Sequence, residues 1–422
     1  MEYRRLNVSF IGLGKLGKIA AETLAEEHNV YGYDINPEAG KYMENDVQRC
    51  VSLEECVKGS ENCPSGRDVI LIAVQTPHHP DYDDREPTSH LEPKDFDYEH
   101  IINVVKDVNE LADPDTTIAV ISTMLPGTVR RYIAPLVTRC KFVYNPYLIA
   151  QGTVADDMRN PEMIMIGTAN GDEHEDVKML YDLYDPLVKD GTRYEIGTWE
   201  EMEATKVFYN TFISAKLGIV NMIQDVAMKI GHMDVDVVTD ALKNSDKRIM
   251  GPNYMKAGFG DGGGCHPRDN IALRVLNKRY HMGYDLFDAI MKAREEQANN
   301  MAQYCLNYDM DVVILGKSFK PGLKDDPSGS PSMLVGWYIQ AADASKNVYY
   351  DKAPDEGAYT YLIHDKALMP ERFNPGSCII DPYRELKHSD QTKHCVIKYY
   401  GNSRPVIDGI QSRFPIPMPE GF

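Results

Sequence analysis

The chain has 422 residues, 43% hydrophobic and 26% charged, which is enough apolar content to bury a sizeable core and too much for a disordered polymer. At roughly 150 residues per domain, that length holds two or three domains. Lys and Arg total 45 against 64 Asp and Glu, a net charge of −19, so the surface repels nucleic acid and anionic membrane, and an anionic ligand must find local cations or helix N-termini. No apolar run approaches the ~18 residues of a membrane span. Met1 to Arg5 leads straight into a strand pattern without an apolar leader core, so a cytoplasmic protein is expected. The eight cysteines, none in a CxxC pair, read as reduced thiols.

In chain order, Leu6 to Ile11 is a compact β-run, followed by a glycine turn and a helix over about Lys15 to Glu27. Further strands are predicted at Val30–Tyr33, Asp68–Val74, Thr117–Ile121, Phe142–Tyr144 and Met163–Ile166. The alternation implies a parallel sheet with helical crossovers. Two strands end in the loops Gln75-Thr76-Pro77 and Ser122-Thr123-Met124, at carboxyl ends, where open α/β sheets bind ligands. From Glu200 to Lys229 the helical period runs unbroken by proline, predicting one long helix. A second helix is expected over Asp234–Lys243 and a helical region over Asn270 to about Tyr304. Strand patterns return at Asp311–Leu315, Asn347–Tyr350, Tyr359–Ile363, Ser377–Asp381 and His394–Tyr399, a second, smaller parallel sheet. The expected fold is α/β: two Rossmann-like doubly wound domains joined by a long central helix. Its parts are residues 1–199, a helical region at 200–305 and a C-terminal domain at 306–422.

Gly12-Leu13-Gly14-Lys15-Leu16-Gly17 sits between a predicted strand and a predicted helix. The first glycine permits the tight turn, the second lets a pyrophosphate approach the backbone, and the third allows close helix–strand packing. Asp34 ends the next strand, 17 residues past Gly17. A carboxylate there accepts from a ribose diol and repels a 2′-phosphate, which predicts NAD rather than NADP. Cys265, in Gly262-Gly263-Gly264-Cys265-His266-Pro267-Arg268-Asp269, is held on a glycine turn beside an arginine, a setting that favours thiolate and so a nucleophile able to capture an aldehyde. Lys206 and Asn210 are four residues apart and share a helix face. His78-His79-Pro80-Asp81-Tyr82-Asp83-Asp84 resembles a metal-ligand set but reads as a solvated loop, and no metal is expected.

Taken in order, GLGKLG with Asp34, AVQTP, STMLPGT, NPYLIAQGTVADDMRNPE, KVFYN, DKRIMGPNYMKAGFGDGGGCHPRD and ILGKSFKPGLKDD resemble the UDP-glucose/GDP-mannose dehydrogenases over nearly the whole chain. The resemblance implies NAD-dependent oxidation of the primary alcohol of a nucleotide-sugar to the uronic acid, through an adduct on Cys265, with two NAD reduced per substrate. It implies Lys206 and Asn210 as oxyanion and water ligands, Asp269 as a carboxylate for water or proton transfer, and Thr123 beside the reacting centre. It implies Tyr147, Leu148, Gln151, Tyr254, Lys256, Gly262 and Lys320 as substrate contacts. Arg248 resembles an arginine that reaches the neighbouring subunit's substrate, which implies a homodimer.

Three positions depart from the family pattern. Tyr147 and Gln151 stand where the family has glutamates, and Ser328 replaces an arginine. Neither Tyr nor Gln is a carboxylate base. The alternatives are an enzyme of the same fold that stops at the aldehyde or takes another sugar alcohol, and an inactive NAD-binding protein. NADH yield per substrate separates the three readings: two, one or none.

Overall fold

The computed structural model describes residues 4–41, 43, 47–60, 65–77, 95–173, 175–230, 232–251, 257–261, 270, 274, 277–323 and 326–402. The chain divides into two compact units, residues 1–216 and 217–422.

The first unit is built on an eight-stranded sheet. Its strands are β1 (Asn7–Ile11), β2 (Asn29–Tyr33), β3 (Gln48–Arg49), β4 (Val69–Ile72), β5 (Thr117–Val120), β6 (Lys141–Tyr144), β7 (Ile164–Thr168) and β8 (Tyr194–Thr198). They lie in the order β3-β2-β1-β4-β5-β6-β7-β8. The chain moves outward from β1 through β2 to β3, then restarts on the other side of β1 at β4. That reversal opens a crevice beyond the carboxyl ends of β1 and β4.

Strand residues alternate between two cores. Val69 and Leu71 of β4 join α1 (Gly17–Leu24), α4 (Val154–Arg159) and α5 (Glu175–Tyr184) on one face. Ile70 and Ile72 join α2 (Leu53–Lys58) and α3 (Glu99–Leu111) on the other. Burial on both faces explains why these strands are continuous apolar runs.

Pairing is parallel except between β6 and β7, which meet antiparallel at one pair, Tyr144↔Gly167. Because Gly167 is near the end of β7 and Tyr144 is the end of β6, the last residues of both strands lie side by side. β8 runs parallel to β7 in register, Thr168 against Thr198. Helix α6 (Trp199–Ile230) then starts with no linker. It begins with a reciprocal cap, in which Glu201 N donates to Thr198 Oγ1 at 3.3 Å and Thr198 N donates to Glu201 Oε2 at 2.9 Å. The single long helix expected from Glu200 to Lys229 is present, and it runs from the first unit into the second.

The second unit contains α7 (Val235–Lys243), α8 (Leu286–Leu306), α9 (Pro331–Ala342) and an all-parallel five-stranded sheet. Its strands β9 (Val312–Leu315), β10 (Val348–Tyr350), β11 (Thr360–Ile363), β12 (Cys378–Asp381) and β13 (Val396–Tyr399) take the order β10-β9-β11-β12-β13. Ala298, Met301 and Ala302 of α8 and Val335 and Ile339 of α9 cover one face, and Tyr359, Tyr361, Phe373 and Leu386 pack on the other. The helical region expected from Asn270 to about Tyr304 contains a break before Leu286. His281 and Gly283 adopt positive φ, 49° and 88°, and Asp285 caps a fresh start by accepting from Asp288 N at 2.9 Å.

Candidate active site

The glycine turn leaves β1 at Gly12, whose φ of 103° excludes most side chains and whose added Cβ would lie 2.6 Å from Ala73 O. A Cβ on Gly17 would lie 2.0 Å from Gly12 O, so helix and turn touch backbone to backbone. Over Gly14 there is nothing within 4 Å. Lys15 and Leu16 follow, and α1 begins at Gly17. Asp34 joins the loop to β2, accepting from Leu13 N at 2.7 Å and from Asn36 N at 2.8 Å. Open space over Gly14 at the start of a helix, with a carboxylate at the end of β2, fits a dinucleotide.

The two predicted binding loops meet. The Thr76 hydroxyl donates to Thr123 O at 2.7 Å, and the Ser122 hydroxyl donates to Val74 O at 2.5 Å. Tyr144 Oη donates to Ser122 O at 3.1 Å. Thr76 and Thr123 thus stand together beyond β4 and β5, on the same rim as the glycine turn.

Lys206 and Asn210 face one cleft of about 230 Å³. Leu148, Ile149, Ala150, Asp157, Glu162 and Tyr209 also line it. Lys206 Nζ donates to Tyr147 O at 2.7 Å, and burial lowers its pKa below that of an ordinary lysine. An ammonium has three donors, and Tyr147 O takes one of them. The Tyr209 hydroxyl donates to Glu162 Oε1 at 3.1 Å. Asp157 Oδ2 accepts from Ala150 N at 2.9 Å and from Thr153 Oγ1 at 2.8 Å, which holds the cleft wall in shape.

Tyr147 meets Lys206 through its backbone carbonyl. Its hydroxyl meets that of Tyr184 at 2.8 Å, and Tyr184 donates to Asn145 Oδ1 at 2.5 Å. Asn145 Nδ2 donates to Met165 O at 2.8 Å. Desolvation holds the Tyr147 phenol well above its ordinary pKa. Gln151 is exposed on the turn before α4 and does not line the cleft.

The remaining predicted residues belong to the second unit. Arg248 is exposed beyond α7, and Lys320 is exposed on the loop after β9. Cys265, Asp269, Tyr254, Lys256 and Gly262 lie outside the described residues, as do His78 to Asp84. Sequence reasoning missed Asp157, Glu162 and Tyr209, which read as ordinary helix-start and surface residues. It also missed Glu203, which is buried and accepts two backbone N–H groups of the Thr123 loop. Its spacing of three from Lys206 was the available signal.

Two models of one family match the chain. The NAD-binding domain of the UDP-glucose/GDP-mannose dehydrogenase family covers residues 6–187, and its central domain covers residues 200–296. The chain belongs to this family. It is an NAD-dependent dehydrogenase of the nucleotide-sugar type. The dehydrogenase is 25% identical over 390 residues to UDP-glucose 6-dehydrogenase of Rickettsia felis, covering 86% of this chain and 82% of that one. It is 27% identical over 399 residues to GDP-mannose 6-dehydrogenase of Pseudomonas syringae pv. tomato, covering 86% and 85%. Its fold matches GDP-mannose dehydrogenase of Pseudomonas aeruginosa, solved as a ternary complex, with a TM-score of 0.73 at 21% identity over 92% of this chain and 99% of that one. Among the described residues no helix is long and apolar enough to cross a membrane.

Proposed function

We propose that the dehydrogenase oxidises the primary alcohol of a nucleotide-sugar to the uronic acid, reducing two NAD per substrate. The observation that carries this reading is the cleft in which Lys206 and Asn210 face an open volume beside the Tyr147–Ala150 segment. When bound, NAD supplies the hydride acceptor. Gly12 to Gly17, Asp34, Thr76 and Thr123 would hold it. Lys206 and Asn210 steady negative charge on the reacting oxygen, where a half-buried ammonium counts for more than a solvated one. The Cys265 thiolate adds to the aldehyde carbon, so the second oxidation ends as a thioester. Water then adds to the thioester carbonyl and the C–S bond breaks, giving the carboxylate and returning the thiolate, with the released proton passing to Asp269 or to solvent. Leu148, Tyr254, Lys256, Gly262 and Lys320 contact the nucleotide-sugar.

A homodimer belongs to the same reading, with Arg248 reaching the partner's substrate. Helix α6 supports it: Phe208, Phe212 and Ile219 are 57%, 54% and 47% exposed, an apolar surface too large for a solvated helix face. Sedimentation of an active monomer at micromolar concentration would overturn the dimer.

The Tyr147 ring favours a second reading. A phenol turned into the core is no base for hydrolytic water. An enzyme without that base releases the aldehyde, or holds its thioester until Asp157 or Glu162 in the cleft serves water instead. The test is a panel of UDP- and GDP-sugars with NAD, following NADH per substrate alongside intact-mass analysis. Two NADH with carboxylate product support the full oxidation. One NADH supports the aldehyde reading, and none across the panel overturns both. Carboxylate formation by Cys265→Ser removes the nucleophile assignment.

A further inference from the structure

Glu203 is fully buried, and among the described residues neither of its carboxylate oxygens meets a cation. Oε2 accepts from Gly127 N at 2.6 Å and Oε1 from Val129 N at 2.7 Å. These amides close the far end of the loop that leaves β5 and carries Thr123. Gly127 has φ of 93°, a conformation that favours glycine. The near end is held by the Thr76 and Ser122 hydroxyls, and the middle by Leu125 N donating to Tyr98 Oη at 3.3 Å. The charged and titratable groups that face Glu203 are Glu200 on its own helix, Arg130 on the π-turn Val129–Ile133, and Tyr144 on β6. Arg130 pairs with Glu200, donates to Ala169 O at 2.8 Å, and lies over the Trp199 ring at 4.8 Å. Arg130 is therefore engaged with another carboxylate.

We propose that Glu203 is a positioning residue whose ionised carboxylate clamps the Thr123 loop to α6, so that the cofactor-side loop and the helix carrying Lys206 and Asn210 are held as one piece. The proposal rests on the reading that this loop faces NAD. Only the ionised form presents an acceptor to both N–H groups. The protonated form turns one oxygen into a hydroxyl and gives up one of the two bonds. Burial raises the carboxyl to about pKa 7, so the clamp forms and dissolves around neutrality.

Two opposite pH trends follow. A folded-state pKa raised above the unfolded value gives stability that is complete below the unfolded pKa and is lost as pH rises through the folded one. Stability contributed by Glu203 therefore falls toward pH ~7 and above. The clamp strengthens over the same interval. A merely structural glutamate moves stability and cofactor affinity in the same direction.

The experiment measures NAD affinity by protein fluorescence, without sugar, and melting temperature, both from about pH 6 to about pH 8, in wild type, Glu203→Gln, Glu203→Asp and Thr123→Ala. Wild type is expected to bind NAD roughly fivefold to tenfold more tightly at the upper pH, with Glu203→Gln flat and weak throughout. Its melting temperature relative to Glu203→Gln should decline across the same range. Glu203→Asp, which keeps the charge on a shorter arm, should recover part of the pH dependence. It also provides the test if the glutamine variant does not fold. Wild type and Glu203→Gln binding NAD alike at every pH would overturn the proposal. Unchanged NAD affinity in Thr123→Ala, with Glu203→Gln behaving as expected, would remove the Thr123 assignment and leave the clamp standing.

Discussion

Lys206 donates to the carbonyl of Tyr147 at 2.7 Å while the ring of the same tyrosine turns away, its hydroxyl 2.8 Å from that of Tyr184. One residue thus serves two environments. Its backbone orients an ammonium in the cleft, and its side chain completes a polar group in the core.

Replacing Lys206 by Met should keep the fold and remove most of the activity. Truncating a donor that stabilises reacting charge costs about 10²–10³ in kcat. Burial lowers the Lys206 pKa, so the wild-type rate should fall at alkaline pH earlier than an ordinary lysine would dictate, because the ammonium is lost as pH rises. Steady-state NADH formation across pH checks both. A Lys206→Met enzyme within threefold of wild type contradicts the assignment.

Tyr147→Phe should do the reverse. It deletes a hydroxyl from the Tyr184–Asn145 group and leaves the carbonyl that holds Lys206. The expected cost is about 1 kcal/mol, a few degrees in melting temperature, with turnover close to wild type. Thermal unfolding and NADH rates measured together decide it. A large loss of turnover at unchanged stability means that the hydroxyl reaches the chemistry.

The glycine turn gives a contrast between two alanines. A Cβ on Gly14 meets nothing within 4 Å, so Gly14→Ala should fold normally and bind NAD more weakly, its methyl occupying space meant for the pyrophosphate. A Cβ on Gly17 would sit 2.0 Å from Gly12 O, so Gly17→Ala should lose about 1–3 kcal/mol of stability as well as NAD affinity. Melting curves with and without NAD separate the two.

NADP should be a poor substitute for NAD. Asp34 stands at the end of β2, and Ile35, Asn36 and Pro37 after it offer no cation for a 2′-phosphate. Like charges at short range cost about 1–3 kcal/mol, which is roughly a tenfold to hundredfold preference in kcat/KM. Asp34→Asn should narrow that preference while weakening NAD binding, since the carboxylate also accepts Leu13 N. Equal efficiency with both cofactors in the wild type argues against the role given to Asp34.

Much of the first unit was legible because buried parallel strands are apolar on both faces and stand out as runs, as Val69–Ile72 does. The two-residue strand Gln48–Arg49 carries no period and was invisible. Tyr194–Thr198 was missed because three of its five residues are only partly buried. Strand direction leaves no mark on composition, so nothing announced the reversal at β7. The pairing of Lys206 with Asn210 followed from helical spacing. The inward turn of the Tyr147 ring did not, because packing around Tyr184 and Asn145 decides it. Glu203 was hidden by its type: a glutamate early in a helix usually serves the dipole, and only the fold sets it against Gly127 and Val129.

Thr198 is both the last rung of β8 and the N-cap of α6, so the helix inherits its rotational phase from the sheet. Glu203, Lys206 and Asn210 follow at spacings of three and four, which keeps them on one stripe. Each added residue advances a helix by about 100° and 1.5 Å. A one-residue insertion between Thr198 and Glu203 would therefore swing all three side chains off the loop and out of the cleft together. An insertion of four would nearly restore the angle but displace them by about 6 Å along the axis. The stretch Trp199–Met202 acts as an index mark, where a change of residue is a local matter and a change of length misaligns the whole site.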